Sequence, residues 1–376
     1  MKKVLVTMIA LMLLLSACSS GTQATEAVET QKQNEVEAQK VVLTEEIDKA
    51  LEEEEKEVAY EPEKTVSDNL IDSTRSKISG IELTEDMTNI RPIVVMLDNH
   101  YGARPQAGLS EAEVVYEFLA EGRITRYEAV LYSKFPKKIG PIRSARPYFI
   151  DKALEYDSIY VHVGGSQQAK ADIKNLKMAE VDGLSSGKNV FWRLSHKKIP
   201  HNMYSSTEAI RREQARKNYR TTYDFEGNKI YMEDHDIDGE DLASIVFRYK
   251  YPSKGDKTGY YSGYKYDTEK KVYLRYVNGK AHTDEASNIH LQAKNIIVQK
   301  AKHKILDNEG RRDVSLIGEG EGLYITNGKM IPVKWTKADR RSRTIYYDNS
   351  GNEVTFNPGV TWVQVVPTEL ELEINQ

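Results

Sequence analysis

Residues 91–166 read RPIVVMLDNHYGARPQAGLSEAEVVYEFLAEGRITRYEAVLYSKFPKKIGPIRSARPYFIDKALEYDSIYVHVGGS. Ile93–Leu97 is an unbroken apolar run, the pattern of a strand buried on both faces. Val114–Leu119 and Ile124–Tyr132 flank Glu121-Gly122-Arg123 and predict a hairpin. Pro147 sits where a helix takes its first residue, and a helix is expected from there to about Tyr156. Ile159–Val163 is a further strand, and Gly164-Gly165-Ser166 opens a helix over 167–178. Strands and helices alternate in this part, which gives an α/β or α+β layer structure. The strand runs end in polar clusters: Asp98-Asn99-His100, then Arg123 with Arg126, then Arg143 to Arg146. Polar groups at the ends of buried strands are where such folds place a binding site.

Downstream, Ser205 with Glu208 has the spacing of a capping box for a helix to about Asn218. From residue 245 onward the pattern changes to short alternating strands. Asn278-Gly279 and Asn327-Gly328 mark tight hairpins, because both residue types tolerate positive φ. Tyr outnumbers Phe by 23 to 7, which suits sheets with one wet face. The expected organisation is residues 81–230 as the α/β part and 240–370 as a mostly antiparallel β part.

Upstream, Lys2-Lys3 and the apolar run Val4–Leu15 form a signal sequence over residues 1–17, too short to span a bilayer. It closes on Leu15-Ser16-Ala17-Cys18, a bacterial lipobox. Cys18 is the chain's one cysteine, which excludes an intramolecular disulfide, thiol catalysis and a cysteine zinc site in the folded part. Acylated Cys18 would anchor the chain to the bilayer at the outer face of the cytoplasmic membrane. Residues 18–80 are polar and Glu-rich. Within 26–72 there are 16 Asp and Glu against 5 Lys, a net of −11. Such a composition cannot bury a core and is expected to be a disordered tether. The rest of the chain is only mildly basic, without the dense positive face of a nucleic-acid binder.

The strings MLDN, ARPQAGLSEAEVVYE, EGRITRYEAV and IGPIRSARPY resemble the signature of the YerB-like lipoprotein family of Gram-positive bacteria. The tail from YITNGKMIPVKW to VTWVQVVP resembles that family's C-terminal part. The resemblance implies a membrane-anchored protein of α+β fold, with a three-layer sandwich beside a β-rich second part. It names no activity beyond a loose association with cell-wall synthesis.

Three constellations carry the functional expectations. Asp98, Asn99, Arg104, Arg123, Arg126, Arg143 and Arg146 form a candidate anion site, since arginines at strand ends hold carboxylates and phosphates bidentately. The competing reading is that the same arginines pair with Asp and Glu to fix loops. Asp234, Asp236 and Asp238 before Gly239 match the front of a calcium loop, but position 12 is Ile245, so the closing Glu is missing. No other cofactor is indicated. Ser195-His196 lacks the surroundings of a nucleophile, and His162 before Gly164-Gly165-Ser166 reads as a core histidine beside a tight turn rather than an oxyanion cradle. The leading expectation is a non-catalytic module that binds an envelope polymer or a membrane protein. The alternative is a wall-glycan hydrolase or transferase using Asp98, Glu117 or Asp151, which requires a facing carboxylate pair.

Overall fold

The computed structural model describes residues 70–84, 87, 89–252 and 259–376. The lipobox and most of the acidic segment lie outside the described residues. Residues 67–376 form one compact unit. Among the described residues no helix is long and apolar enough to cross a membrane.

The middle layer is an eleven-stranded mixed sheet. Its N-terminal strands are β1 (Ile93–Asp98), β2 (Val114–Leu119), β3 (Thr125–Leu131), β4 (Ile159–His162) and β5 (Glu180–Asp182). Beyond Ser244 come β6 (Ser244–Lys250), β7 (Tyr260–Asp267), β8 (Val272–Val277), β9 (Asn295–Ala301), β10 (Gly318–Thr326), β11 (Lys329–Lys337), β12 (Ile345–Tyr347), β13 (Thr361–Pro367) and β14 (Leu372–Asn375). The middle sheet runs β12-β11-β10-β9-β13-β2-β3-β1-β4-β5, with Glu240–Asp241 added beside β11. β13 is parallel to both β9 and β2. The segments 81–230 and 240–370, distinct in pattern, are therefore joined through one sheet. Every residue of β1, β2 and β3 is buried, as the unbroken apolar runs predict.

One face of this sheet is covered by helices α1 (Pro147–Ala153) and α2 (Gln167–Asn175). Val94, Met96, Tyr116 and Phe118 cluster there with Phe149, Ile150 and Ile173. The other face is covered by an antiparallel sheet built on β8-β7-β6-β14. Val95, Leu97, Val115 and Tyr127 cluster there with Ile245, Phe247, Tyr264 and Tyr273. Residues of β6 and β8 alternate between buried and half-buried. That is the pattern of a sheet wet on its outer side. Helix α3 (Thr207–Arg216) follows the last short strand of the N-terminal part.

Local chemistry explains the boundaries. Both Asn-Gly pairs have positive φ at each residue, the geometry that matches strand twist in a two-residue hairpin. The α3 cap is Ser206, whose side chain accepts from the Ala209 N–H, not the expected Ser205. Ser205 is held as a strand residue by backbone bonds to Ile139, and its hydroxyl donates to the Val190 carbonyl. Glu208 pairs with Arg212 instead of closing a box. Helix α2 stops at Asn175, earlier than the pattern suggested, and Lys177 adopts φ 51° just beyond it.

Candidate functional site

The polar ends of β1 and β3 turn toward the antiparallel sheet. Asn99 donates to the Thr125 hydroxyl (2.7 Å) and to the Tyr260 hydroxyl (2.6 Å). Both hydroxyls in turn donate to Glu117, at 2.7 and 2.5 Å. Glu117 also accepts from Ser262 at 3.2 Å and from Arg275 at 2.6 Å. Glu117 and Arg275 are both wholly enclosed. Arg275 spends its remaining donors on Tyr264, Tyr127 and His282, and its guanidinium lies 4.0 Å from the Trp362 ring centroid. Because Arg275 can only donate, His282 accepts at Nδ1 and is a neutral ring that donates from Nε2 to Gln106 at 2.9 Å. Burial, and then Arg275, push the His282 pKa well below its usual value. This network pins the antiparallel sheet to the middle sheet. It is a fully bonded buried ion pair, the arrangement in which losing one partner is costly.

Asp98 faces the other side of the same strand end. It accepts from the His100 N–H (2.9 Å) and from His201 Nδ1 (2.6 Å), with Arg143 at 3.4 Å. The His100 and His201 rings stack at 4.1 Å. Burial and the neighbouring His201 lower the His100 pKa. Arg126 and Arg146 both bind Glu121. Burial raises the Glu121 pKa, but the two arginines outweigh it and hold the carboxylate below its ordinary range. Arg146 also occupies the position just before α1, a helix of seven residues, without a side-chain capping bond.

The seven predicted residues therefore separate into groups. Arg126, Arg143 and Arg146 are tied to carboxylates. Arg104 donates to the Asn99 carbonyl and lies 4.8 Å from the Tyr260 ring centroid. Arg123, exposed in the β2–β3 turn, has no side-chain partner among the described residues. Asn99, Arg104 and Arg123 line a hollow of about 110 Å³ together with His100, Tyr101 and Lys250. Among the described residues no Asp or Glu lines it.

The remaining candidates are spread through the fold. Asp234 is bound by Lys294 at 2.5 Å and Asp236 by Asn327 at 3.0 Å. Asp238 is exposed, and no group of three metal-ligating residues occurs among the described residues. Asp234 and Asp236 are thus drawn to Lys294 and to the Asn327 turn. Asp151 pairs with Arg340 at 2.5 Å, and burial raises its pKa. His162 bonds Gly164 O and Glu180, both at 2.9 Å. His196 contacts Glu285 at 3.1 Å.

Sequence reasoning passed over Arg275, Tyr260 and His282. One signal was available. Tyr273, Arg275 and Val277 share the inward phase of β8, so the arginine stands on the apolar face and needs a buried partner.

Residues 78–220 match the N-terminal domain of the family described as protein of unknown function DUF3048, and residues 250–363 match its C-terminal domain. A relative named "Putative lipoprotein YerB" from Bacillus subtilis (strain 168) is 33% identical over 293 residues, spanning 78% of this chain and 86% of its own. The crystal structure of YerB protein from Bacillus subtilis superimposes with a TM-score of 0.72 at 32% identity. It covers 80% of this chain and 99% of the solved one. The three-layer α+β architecture described above thus has a solved counterpart, and the chain belongs to the DUF3048 family.

Proposed function

We propose that this chain is a lipid-anchored protein of the outer face of the cytoplasmic membrane. Its folded part would be a non-catalytic module that binds an anionic envelope polymer. The anchor rests on the lipobox at Cys18 and on the name of the Bacillus relative. The binding reading rests on one observation: among the described residues, the hollow at the ends of β1 and β3 is lined by Arg104, Arg123 and His100 and by no carboxylate. Arginine forks suit carboxylate or phosphate groups repeated along a polymer.

Cleavage of glycan finds less support. That chemistry needs a carboxylate pair facing an open cleft. Glu117, Asp98 and Asp151 are each bound to an arginine, and Glu117 is wholly enclosed.

The test is binding of purified wall teichoic acid to the full chain and to an Arg104→Ala/Arg123→Ala double variant. The variant should bind about tenfold or more weakly, and added salt should reduce parent binding. Equal binding by a variant with an unchanged melting temperature would remove the proposed site.

A further inference from the structure

Arg91 precedes β1 and Asp157 precedes β4. These two strands run parallel with Ile93 beside Ile159. Two adjoining hollows lie at this end, opposite the Asp98 site. Leu154, Asp157, Arg220 and Arg341 form their shared wall.

The first hollow measures about 340 Å³ and is lined by Arg91, Lys177, Arg220 and Arg341, with Asp157 as the one carboxylate among the described residues. Asp157 is already saturated. It accepts from Arg91 (2.8 Å), from Arg220 (2.5 Å) and from the Asp224 N–H (2.8 Å). Lys177 and Arg341 have no carboxylate partner among the described residues. Arg341 is oriented by a 2.8 Å bond to the Leu176 carbonyl. The first hollow thus holds uncompensated positive charge.

The second measures about 480 Å³ and has the reverse balance. Its carboxylates are Glu155, Asp157, Asp224, Glu226 and Asp339, against Arg220, Arg341 and Arg343. Glu155 is engaged by Lys152 and Lys337, and Asp339 accepts two backbone N–H groups of its own turn. Glu226 shares Arg343 with Glu353. The Asp224 side chain has no partner among the described residues. Available negative charge therefore stands beside available positive charge along one groove.

We propose that this groove binds a short peptide segment carrying a free carboxylate and a nearby amine. Lys177 and Arg341 hold the carboxylate. Asp224, with Glu226 beside it, holds the ammonium. A ligand with one charge alone meets repulsion or nothing in the other half, so the groove selects for the charge pair. The hollows are of the size of small-ligand sites, yet wet and polar, so affinity is modest.

The probe is acetyl-Lys-Ala-Ala, with one ammonium and one carboxylate, titrated into the isotope-labelled full chain and followed by amide chemical shifts. Two comparison peptides remove one charge each: the C-terminal amide, and the form with norleucine in place of Lys. The parent should prefer the zwitterion about tenfold over either, and Lys177→Gln/Arg341→Gln should abolish the preference over the amide. Asp224→Asn should abolish the preference over the norleucine peptide. Arg104→Ala/Arg123→Ala should change none of these, which separates this groove from the anion hollow. Equal binding of all three peptides overturns the proposal. So does the absence of shifts near Lys177, Arg341 and Asp224 at about 10 mM probe, where a few charge-assisted bonds register.

Discussion

Glu128 offers a direct test of how this core treats charge. It lies mid-β3 on the face covered by α1, opposite Met96 on one side and Tyr116 on the other. Its exposure is 0%, and neither carboxyl oxygen has a hydrogen-bond partner among the described residues. Lys152 on α1 gives its bonds to Glu155 and Thr344 instead. Burial pushes the Glu128 pKa well above 4.5, outweighing the opposing pull of Lys152, while Glu155 and Asp151 add to the rise. The native state therefore holds a proton that the unfolded chain releases above pH 4.5. Stability from this group falls as pH rises from that value toward the raised native one, by about 1.4 kcal/mol per pH unit. Glu128→Gln keeps the shape and removes the titration. Relative to the parent, the variant should gain up to about 2.7 kcal/mol between pH 5 and pH 7. His282 contributes the opposite slope, because its native pKa is depressed and acid below 6.5 charges only the unfolded ring. The informative quantity is therefore variant minus parent, which cancels His282. Urea unfolding at half-unit pH steps measures it. A difference that stays constant with pH would show that Glu128 is ionised in the fold and refute the argument.

Two further outcomes are expected. Arg275→Met should cost about 3–5 kcal/mol in urea unfolding, because it leaves Glu117 charged and enclosed, while adding Glu117→Gln should recover part of that loss; strictly additive effects would contradict the network. Cys18→Ala should move the protein from the membrane pellet to the soluble fraction on cell fractionation, and a variant still in the pellet would exclude acylation as the anchor.

The fold was legible wherever burial was two-sided or turns were chemically constrained. The unbroken runs of β1 and β2 and the Asn-Gly hairpins fall where the pattern puts them, because each rests on short-range physics. Strand order was not legible. Nothing in Thr361–Pro367 says that it lies between β9 and β2, a partnership set by packing across more than sixty residues on one side and some two hundred and forty on the other. The neighbourhood of the candidate site was partly legible: of the strand-end residues, Asn99, Arg104 and Arg123 line one hollow. Sequence alone could not say which arginines were already satisfied, since Glu121 meets Arg126 and Arg146 only through the turn geometry. The groove at Lys177, Asp224 and Arg341 was invisible, because it gathers three separate loops that carry no local motif.

The position of β13 has a consequence for how the chain is made. This strand is the seam of the middle sheet, yet in sequence it follows every other strand of that sheet. Until residue 367 is available, β2 on one side and β9 on the other are open edges with unpaired backbone groups. A nascent chain therefore cannot close its core progressively. It must wait as two half-sheets, each exposed to wrong pairing, and then zip shut around its final core strand. Loss of Thr361–Pro367 would cut the middle sheet in two between β9 and β2.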